Sequence, residues 1–457
     1  MEIATIRSVM ASAKNVHLIG IGGVSMSSLA RILRQLGFAV SGSDKNDSAV
    51  IRSLQEEGIS VHLGHAAEHV QGADAVVYTA AIPDTNPELM AARDGGIPLL
   101  SRGELLGWLM LGYERRIGIA GTHGKSTTTS MTAMILMEAQ VDPTVLSGAD
   151  LPQMGGSYRI GQRKYFLFEA CEYKDSFLSF YPTTAVIGNV ELDHTDYFSS
   201  LAQMETSFRK YLSVGSIGVL NADDAACMRV MQGYAGKSVT FGVTNDADYR
   251  AEQLMLSGTG AHFRLVVRGL TLGEITLHVP GRHNVYNALA ACAAAMENGI
   301  AFEAVQRGLE RFRGARRRFD FRGRLNVAPV YDDYAHHPSE IRATLSAAKA
   351  MGKRVVCVFQ PHTFARTYEL FDGFVQALSL ADRLYLADIY AAREANQWGI
   401  TSQKLADAIP GAACPGSFEK IAQQLQETVG ADDLVLIMGA GDVIQITGLL
   451  PLVKECE

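Results

Sequence analysis

A strand-like apolar run at residues 116–120 leads into Gly121-Thr122-His123-Gly124-Lys125-Ser126-Thr127-Thr128-Thr129, after which a helix-like stretch rich in Thr, Ala, Met and Ile begins. A strand, a glycine-bounded turn and a helix opening on Lys-Ser confine this part of the chain to an α/β unit. The turn's backbone N–H groups and the unpaired N–H groups of the helix's first turn point the same way and together favour an anion. Lys125 can reach the outer phosphates of a nucleotide, and the Ser126 hydroxyl can join the shell of a Mg²⁺ ion. The spacing departs from G-x-x-x-x-G-K-[ST], because Ile119 stands at the first glycine's place with Gly118 and Gly121 nearby. The stretch reads as a variant P-loop, and ATP is the expected nucleotide.

Nearer the N-terminus, the strand-like run 16–19 is followed by Gly20-Ile21-Gly22-Gly23-Val24-Ser25 and a helix with Met26, Leu29, Ile32 and Leu33 on its apolar face. This is close to G-x-G-x-x-G, with Ser25 in place of the third glycine. Such a loop lets backbone approach a pyrophosphate at a helix N-terminus, and Asp44, after the next strand, is placed to grip a ribose hydroxyl. An NAD enzyme, another diphosphate ligand and a ligand-free tight turn are all compatible with these residues. Diphosphate binding of some kind accounts for most of them.

A chain of 457 residues, at roughly 100–200 per domain, suggests about three domains. Strand-like and helix-like segments alternate through residues 16–78, again through 116–187, and again through 354–438, which predicts three α/β units. Between the second and third lies FRGARRRFDFRGRL (312–325), basic and glycine-punctuated, which reads as a connector. The expected units are 1–112, 113–322 and 323–457. With 41 Lys plus Arg against 48 Asp plus Glu, the net charge of −7 excludes broad binding of nucleic acid or an anionic membrane, so any phosphate recognition must be local.

Six cysteines, Cys171, Cys227, Cys292, Cys357, Cys414 and Cys456, lie far apart with no C-x-x-C pair. That argues against a zinc ribbon or a disulfide framework and fits a reducing cytoplasm. The first residues lack a signal peptide's apolar core, and no segment reaches the ~18 uninterrupted apolar residues needed to cross a bilayer. A soluble, cytoplasmic protein without membrane insertion is expected.

A nucleotide enzyme also needs groups that can meet a cation, and open α/β sheets deliver them at the carboxyl ends of strands. The run 166–169 ends in Glu169, and the strand-like run 185–187 is followed by Asp193-His194. Glu169 and His194 are metal-ligand candidates beside the P-loop, and ordinary polar strand ends otherwise.

Six ordered motifs now stand together: GIGGVSMSSLA at 20–30, GTHGKSTTT at 121–129, NVELDHTDYF at 189–198, PGRHNVYNALAA at 280–291, YDDYAHHPSEI at 331–341 and FQPHTFART at 359–367. Over nearly its whole length the sequence resembles the Mur ligase family. The resemblance implies an N-terminal Rossmann-like domain for a UDP-sugar, a central P-loop ATPase with a mixed or parallel sheet, and a C-terminal Rossmann-like domain for an amino acid. It implies an ATP-dependent carboxylate–amine ligase working through an acyl phosphate, with UDP-N-acetylmuramate, ATP and L-alanine as substrates and two Mg²⁺ sites.

Residue by residue, the resemblance makes Gly22, Gly23, Ser43, Asp44, Asn86 and Arg102 the UDP-site candidates. Gly121, Thr122, His123, Gly124, Lys125, Ser126 and Thr127 form the phosphate loop. Asn284 and Asn287 match an element near the adenine, with a helix cap as the alternative. Arg318 matches an arginine reaching the ATP phosphates, whereas a solvated connector is the alternative for the run Arg316-Arg317-Arg318. Asp332 or Asp333 would approach the ATP ribose. Ser126, Glu169 and His194 become the metal ligands; Lys125, Glu169, His194 and Arg366 the catalytic set; Tyr334, His336, His362 and Arg366 the amino-acid pocket. Arg366 would hold the amino acid's carboxylate. Within the family, a ligase that joins a preformed tripeptide is the runner-up, and the stretch 359–367 favours the alanine pattern. A non-catalytic nucleotide-binding regulator is the reading from another class.

Overall fold

The computed structural model describes residues 1–79, 81–195, 197–392 and 394–454, so Cys456 lies outside the described residues. Three separate sheets carry the chain. The first contains β1 (Asn15–Ile19), β2 (Ala39–Asp44), β3 (Ser60–Leu63), β4 (Ala75–Tyr78) and β5 (Leu99–Ser101), all parallel, in the order β3-β2-β1-β4-β5. The strand order reverses at β1, and the residue 20–25 loop leaves its carboxyl end at that switch point. This is where an open parallel sheet takes a ligand.

The middle sheet contains β6 (Arg115–Ala120), β7 (Thr144–Leu151), β8 (Gly156–Arg159), β9 (Tyr165–Glu169), β10 (Thr184–Ile187), β11 (Ile217–Asn221), β12 (Lys237–Gly242), β13 (Tyr249–Ser257), β14 (Gly260–Val267) and β15 (Leu270–Leu277). Its order is β15-β14-β13-β12-β11-β10-β6-β9-β7-β8, parallel from β13 to β7, with antiparallel pairing of β13, β14 and β15 on one side and of β7 with β8 on the other. β6 lies between β9 and β10, so the loop leaving β6 is flanked by Glu169 at the end of β9 and by the segment leaving β10. The buried apolar faces of β6, β9 and β10 are what a parallel sheet covered on both sides demands.

The helix Lys125–Glu138 is buried from Ser126 through Leu136. It packs against the alanine-rich helix Arg282–Met296 and against Phe302–Arg311, where a Cβ on Gly308 would come within 2.6 Å of the Ile135 Cα. Small side chains therefore bring three helices close on one face of the sheet.

The third sheet contains β16 (Asp320–Leu325), β17 (Ala328–Asp333), β18 (Arg354–Phe359), β19 (Arg383–Ala387), β20 (Ala412–Gly416) and β21 (Asp433–Met438), in the order β16-β17-β21-β18-β19-β20. All pairings are parallel except β16 with β17. The connector read at 312–325 is thus a strand over its second half. Pairing with β17, which no local pattern of Arg and Gly announces, orders it. Among the described residues, no helix is long and apolar enough to cross a membrane.

Candidate active site

Gly124 holds φ +78°, and a Cβ there would lie 2.4 Å from the Asn287 Oδ1, so the turn into the helix requires glycine. Gly121 holds φ +136° against the backbone of Gly188 and Asn189. Thr122 does not point outward: its hydroxyl donates to the Glu191 carbonyl at 3.0 Å and accepts the Glu191 N–H at 2.9 Å, splicing the loop to the segment after β10. The His123 ring likewise turns away from the loop's concavity, toward Glu191 and Glu340.

Lys125 Nζ donates to the carbonyls of Gly121 (2.6 Å) and Thr122 (3.0 Å) and meets both oxygens of Glu172 at 3.1 and 3.0 Å. Burial, the largest single influence, would lower the ammonium, but the neighbouring acidic groups, Glu172 foremost with Cys171 and Glu169, together outweigh it and hold Lys125 above its ordinary value. Lys125 therefore stays charged. Glu172, wholly buried, also lies 3.6 Å from the His194 Nε2. It is a candidate site residue that sequence reasoning missed, although it stands three positions after Glu169 in the run Glu169-Ala170-Cys171-Glu172. Glu169 accepts the Gly148 N–H at 2.8 Å, and a Cβ on Gly148 would collide with that carboxylate at 2.6 Å. His194 sits at φ +51° with its ring 4.7 Å from that of Tyr173, and burial lowers its imidazole below the ordinary value. A neutral imidazole and carboxylates are donor types that suit a divalent cation, but among the described residues the ligand atoms of Glu169, Glu172 and His194 are not gathered into one cluster.

Between the middle and third units runs a cleft lined by Thr127, Thr128, Asn284, Asn287, Arg318 and Asp333. Asn287 accepts from the Thr128 hydroxyl at 3.2 Å and donates to Asn284 at 3.1 Å, while Asn284 donates to the Pro280 carbonyl at 2.7 Å. Of the three arginines, Arg318 reaches the P-loop, its Nη2 3.3 Å from the Ser126 Oγ. Arg317 instead bonds Asp332 and the Gly439 carbonyl, and Arg316 pairs with Asp320 at the surface. Asp332 is thereby sequestered away from the cleft. Asp333, which lines it, accepts the N–H groups of Phe319 and Ala335. Burial raises both aspartates to about 6.

On the third unit, Arg366 does not hold its guanidinium free. Its Nε and Nη2 donate to the Asp193 Oδ1 at 3.1 and 2.9 Å, and Nη1 lies 3.4 Å from the His362 Nδ1. Burial opposes the Asp193 charge, but Arg366 holds this carboxyl well below the usual range. His362 stacks on Tyr390 with centroids 5.4 Å apart and faces His336 at 6.0 Å. Burial pushes His336 and His362 down to about 4, so both rings are neutral. Tyr334 lies under the cations of Arg317 and Arg318. Asp193 and His194 are adjacent, one facing Arg366 and the other facing Glu172. The P-loop and the third unit's arginine thus meet at one dipeptide.

In the first unit two of the site candidates are engaged by the fold itself. Ser43 is wholly buried, its hydroxyl donating to the Glu88 Oε2 at 2.6 Å, and Asn86 is the N-cap of helix Pro87–Asp94. Both are explained by local structure: Glu88 holds a buried cluster with His65 and His69, and the Asn86 amide oxygen accepts two first-turn N–H groups. Asp44 accepts the Gly22 N–H at 2.9 Å and so braces the loop, Gly23 donates to the Gly20 carbonyl, and Arg102 reaches the loop through the Ser25 hydroxyl at 3.0 Å.

Three family profiles cover this architecture in order: Mur ligase family, catalytic domain, over residues 15–114; Mur ligase middle domain over 119–295; and Mur ligase, glutamate ligase domain, over 317–441. The chain belongs to the Mur ligase family. Among its relatives, a UDP-N-acetylmuramate--L-alanine ligase of Clostridium novyi is 44% identical over 441 residues, covering 95% of this chain and 96% of that one. One from Clostridium acetobutylicum is 45% identical over 443 residues, covering 95% and 96%. A solved UDP-N-acetylmuramate-alanine ligase of Thermotoga maritima superimposes with a TM-score of 0.80 at 29% identity, covering 95% of this chain and 97% of its own. A murein peptide ligase of Psychrobacter arcticus gives 0.72 at 26%, covering 97% and 100%.

Proposed function

We infer that this Mur ligase is an ATP-dependent amide ligase that adds L-alanine to the lactyl carboxylate of UDP-N-acetylmuramate, a step of peptidoglycan precursor synthesis. The observation that carries the reading is the junction at Asp193-His194, where the P-loop lysine's partner and the third unit's arginine converge. Full-length identity to relatives named for that reaction supports it.

A carboxylate is a poor acyl donor, because its leaving group would be oxide. In the proposed course its oxygen attacks the γ-phosphorus of ATP, giving an acyl phosphate and ADP. The alanine amine then attacks the acyl carbon, and the tetrahedral adduct expels phosphate to leave the amide, with loss of the amine proton. Lys125, held charged, neutralises the phosphates that would repel the incoming carboxylate. The first-turn N–H groups of helix Lys125–Glu138 cradle the same charge. Arg318 extends this neutralisation from the connector. Ser126 would hold one Mg²⁺, and Glu169 and His194, with Glu172 beside His194, a second; such ions would supply further neutralisation of the reacting charges.

Asp333, which lines the cleft, would face the ribose, and Asn284 and Asn287 would face the base. His362, His336 and Tyr334 would wall the acceptor pocket, with Arg366, held by Asp193 and beside His362, supplying the cation for the amino acid's carboxylate. The loop at 20–25, with Asp44 and Arg102, faces the UDP diphosphate. We take the working units as residues 1–112, 113–322 and 323–457, in a cytoplasmic enzyme whose five described cysteines are free thiols. Phosphate release from ATP, measured with UDP-N-acetylmuramate and either L-alanine or a tripeptide, tests the reading. Turnover with the tripeptide and none with L-alanine would overturn it.

A further inference from the structure

His123 sits within the phosphate loop, yet both of its ring nitrogens are committed elsewhere. Its Nε2 lies 3.0 Å from the Glu191 Oε2 on the middle unit, and its Nδ1 lies 3.2 Å from the Glu340 Oε1 on helix Pro338–Lys349 of the third unit. The ring faces that of His337 at 4.8 Å. Glu340 is also the residue that closes the first turn of its own helix, accepting the N–H groups of His336 and His337 at 3.1 and 3.3 Å. Across the same seam, the Ser339 hydroxyl donates to the Glu191 Oε1 at 2.6 Å. The start of one helix in the third unit is therefore pinned to the loop that opens another helix in the middle unit.

We propose that His123 is a positioning residue that couples docking of the third unit to the phosphate loop, its imidazolium bridging Glu191 and Glu340 so that the nucleotide site and the acceptor site are assembled together. Two charge-assisted hydrogen bonds to carboxylates on different units make that bridge stronger than a surface ion pair. The charge balance around the ring supports it. Burial works against the imidazolium, but Glu340 and Glu191 raise it to about 9, so the bridge is charged at neutral pH. Other groups facing this seam include His337, lowered by burial, His336 and His283, neutral at about 4, Asp333 and Asp193, and Arg318, whose charge acts on Glu340. One imidazolium between two carboxylates leaves one negative charge over, which the nearby Arg318 offsets from the connector.

The proposal rests on the ligase reading for its kinetic test, and a scattering measurement decides it independently. The variants are His123→Gln, Glu340→Gln, which keeps the helix-capping geometry but removes the charge, and the pair combined. With a non-hydrolysable ATP analogue bound, small-angle scattering of both single variants should give a larger radius of gyration than the wild type. In turnover, kcat/KM for the acceptor amine should fall roughly tenfold, the equivalent of one charge-assisted hydrogen bond. The nucleotide Kd should rise together with the loss in acceptor kinetics, because Asp333 and Glu340 line the nucleotide cleft from the third unit, and the double variant should be no worse than either single one. An unchanged radius, additive losses, or a raised nucleotide Kd with unchanged acceptor kinetics would each refute the bridge. Absence of wild-type turnover would refute the ligase reading instead, and the scattering result would still judge the bridge.

Discussion

The pair formed by Lys125 and Glu172 offers the sharpest test of the electrostatics at the phosphate loop. Glu172 is wholly buried and Lys125 nearly so, with their charged atoms 3.0 Å apart. At an effective dielectric constant of 20, unit charges at that distance attract by about 5 kcal/mol, most of which is offset by taking both from water. Removing one partner is different, because it leaves an uncompensated charge in the interior at a cost of about 3–5 kcal/mol. Glu172→Gln should therefore destabilise the middle unit by about 3 kcal/mol, since the Gly121 and Thr122 carbonyls still hold the ammonium. For a unit of about 200 residues, that lowers Tm by roughly 6 °C or more. Lys125→Met should cost at least as much, because Glu172 then has no cation. The double variant should be more stable than either single one, since it buries no unpaired charge. Denaturant unfolding of the four proteins measures the coupling directly. Additive losses would show that the two groups are not a buried pair and would remove Glu172 from the site.

Three further outcomes follow from the geometry. Arg366→Ala should mainly raise the KM for alanine, by tenfold or more for one lost charge-assisted contact, and an unchanged KM in steady-state kinetics would end its proposed role. Gly124→Ala combines a left-handed φ with a Cβ 2.4 Å from the Asn287 Oδ1, so binding of an ATP analogue, followed by calorimetry, should weaken at least tenfold. Asp332, raised by burial to about 6, favours folding in its neutral form: that contribution is complete below about pH 4 and is lost as pH rises through 6. The stability of Asp332→Asn relative to wild type should therefore climb between pH 4 and 7, by roughly 2–3 kcal/mol, and a flat difference in urea unfolding would contradict the raised value.

Both glycine loops, the α/β alternation and the acidic strand end at Glu169 were legible in the sequence. Each is a local pattern: a strand, a turn that needs a positive φ as at Gly124, and a helix whose first N–H groups lack partners. The antiparallel β13–β15 ladder and the strand character of β16 were not, because pairing depends on remote partners. The intramolecular partners of Ser43 and Asn86 were hidden for the same reason. Their hydroxyl and amide were visible, but Glu88 and the helix start that claim them were not assigned.

The residues of the phosphate loop were marked by order along the chain, since a Gly-Lys-Ser run between strand and helix has few uses. Which charges face one another was settled by folding. Lys125 meets Glu172 across 47 positions, and Arg366 meets Asp193 across 173. His123 bridges two carboxylates from different units. Local sequence controls backbone geometry within a few residues, whereas the partner of a buried charge is chosen by sheet order and by the packing of whole units, which no neighbouring residue encodes.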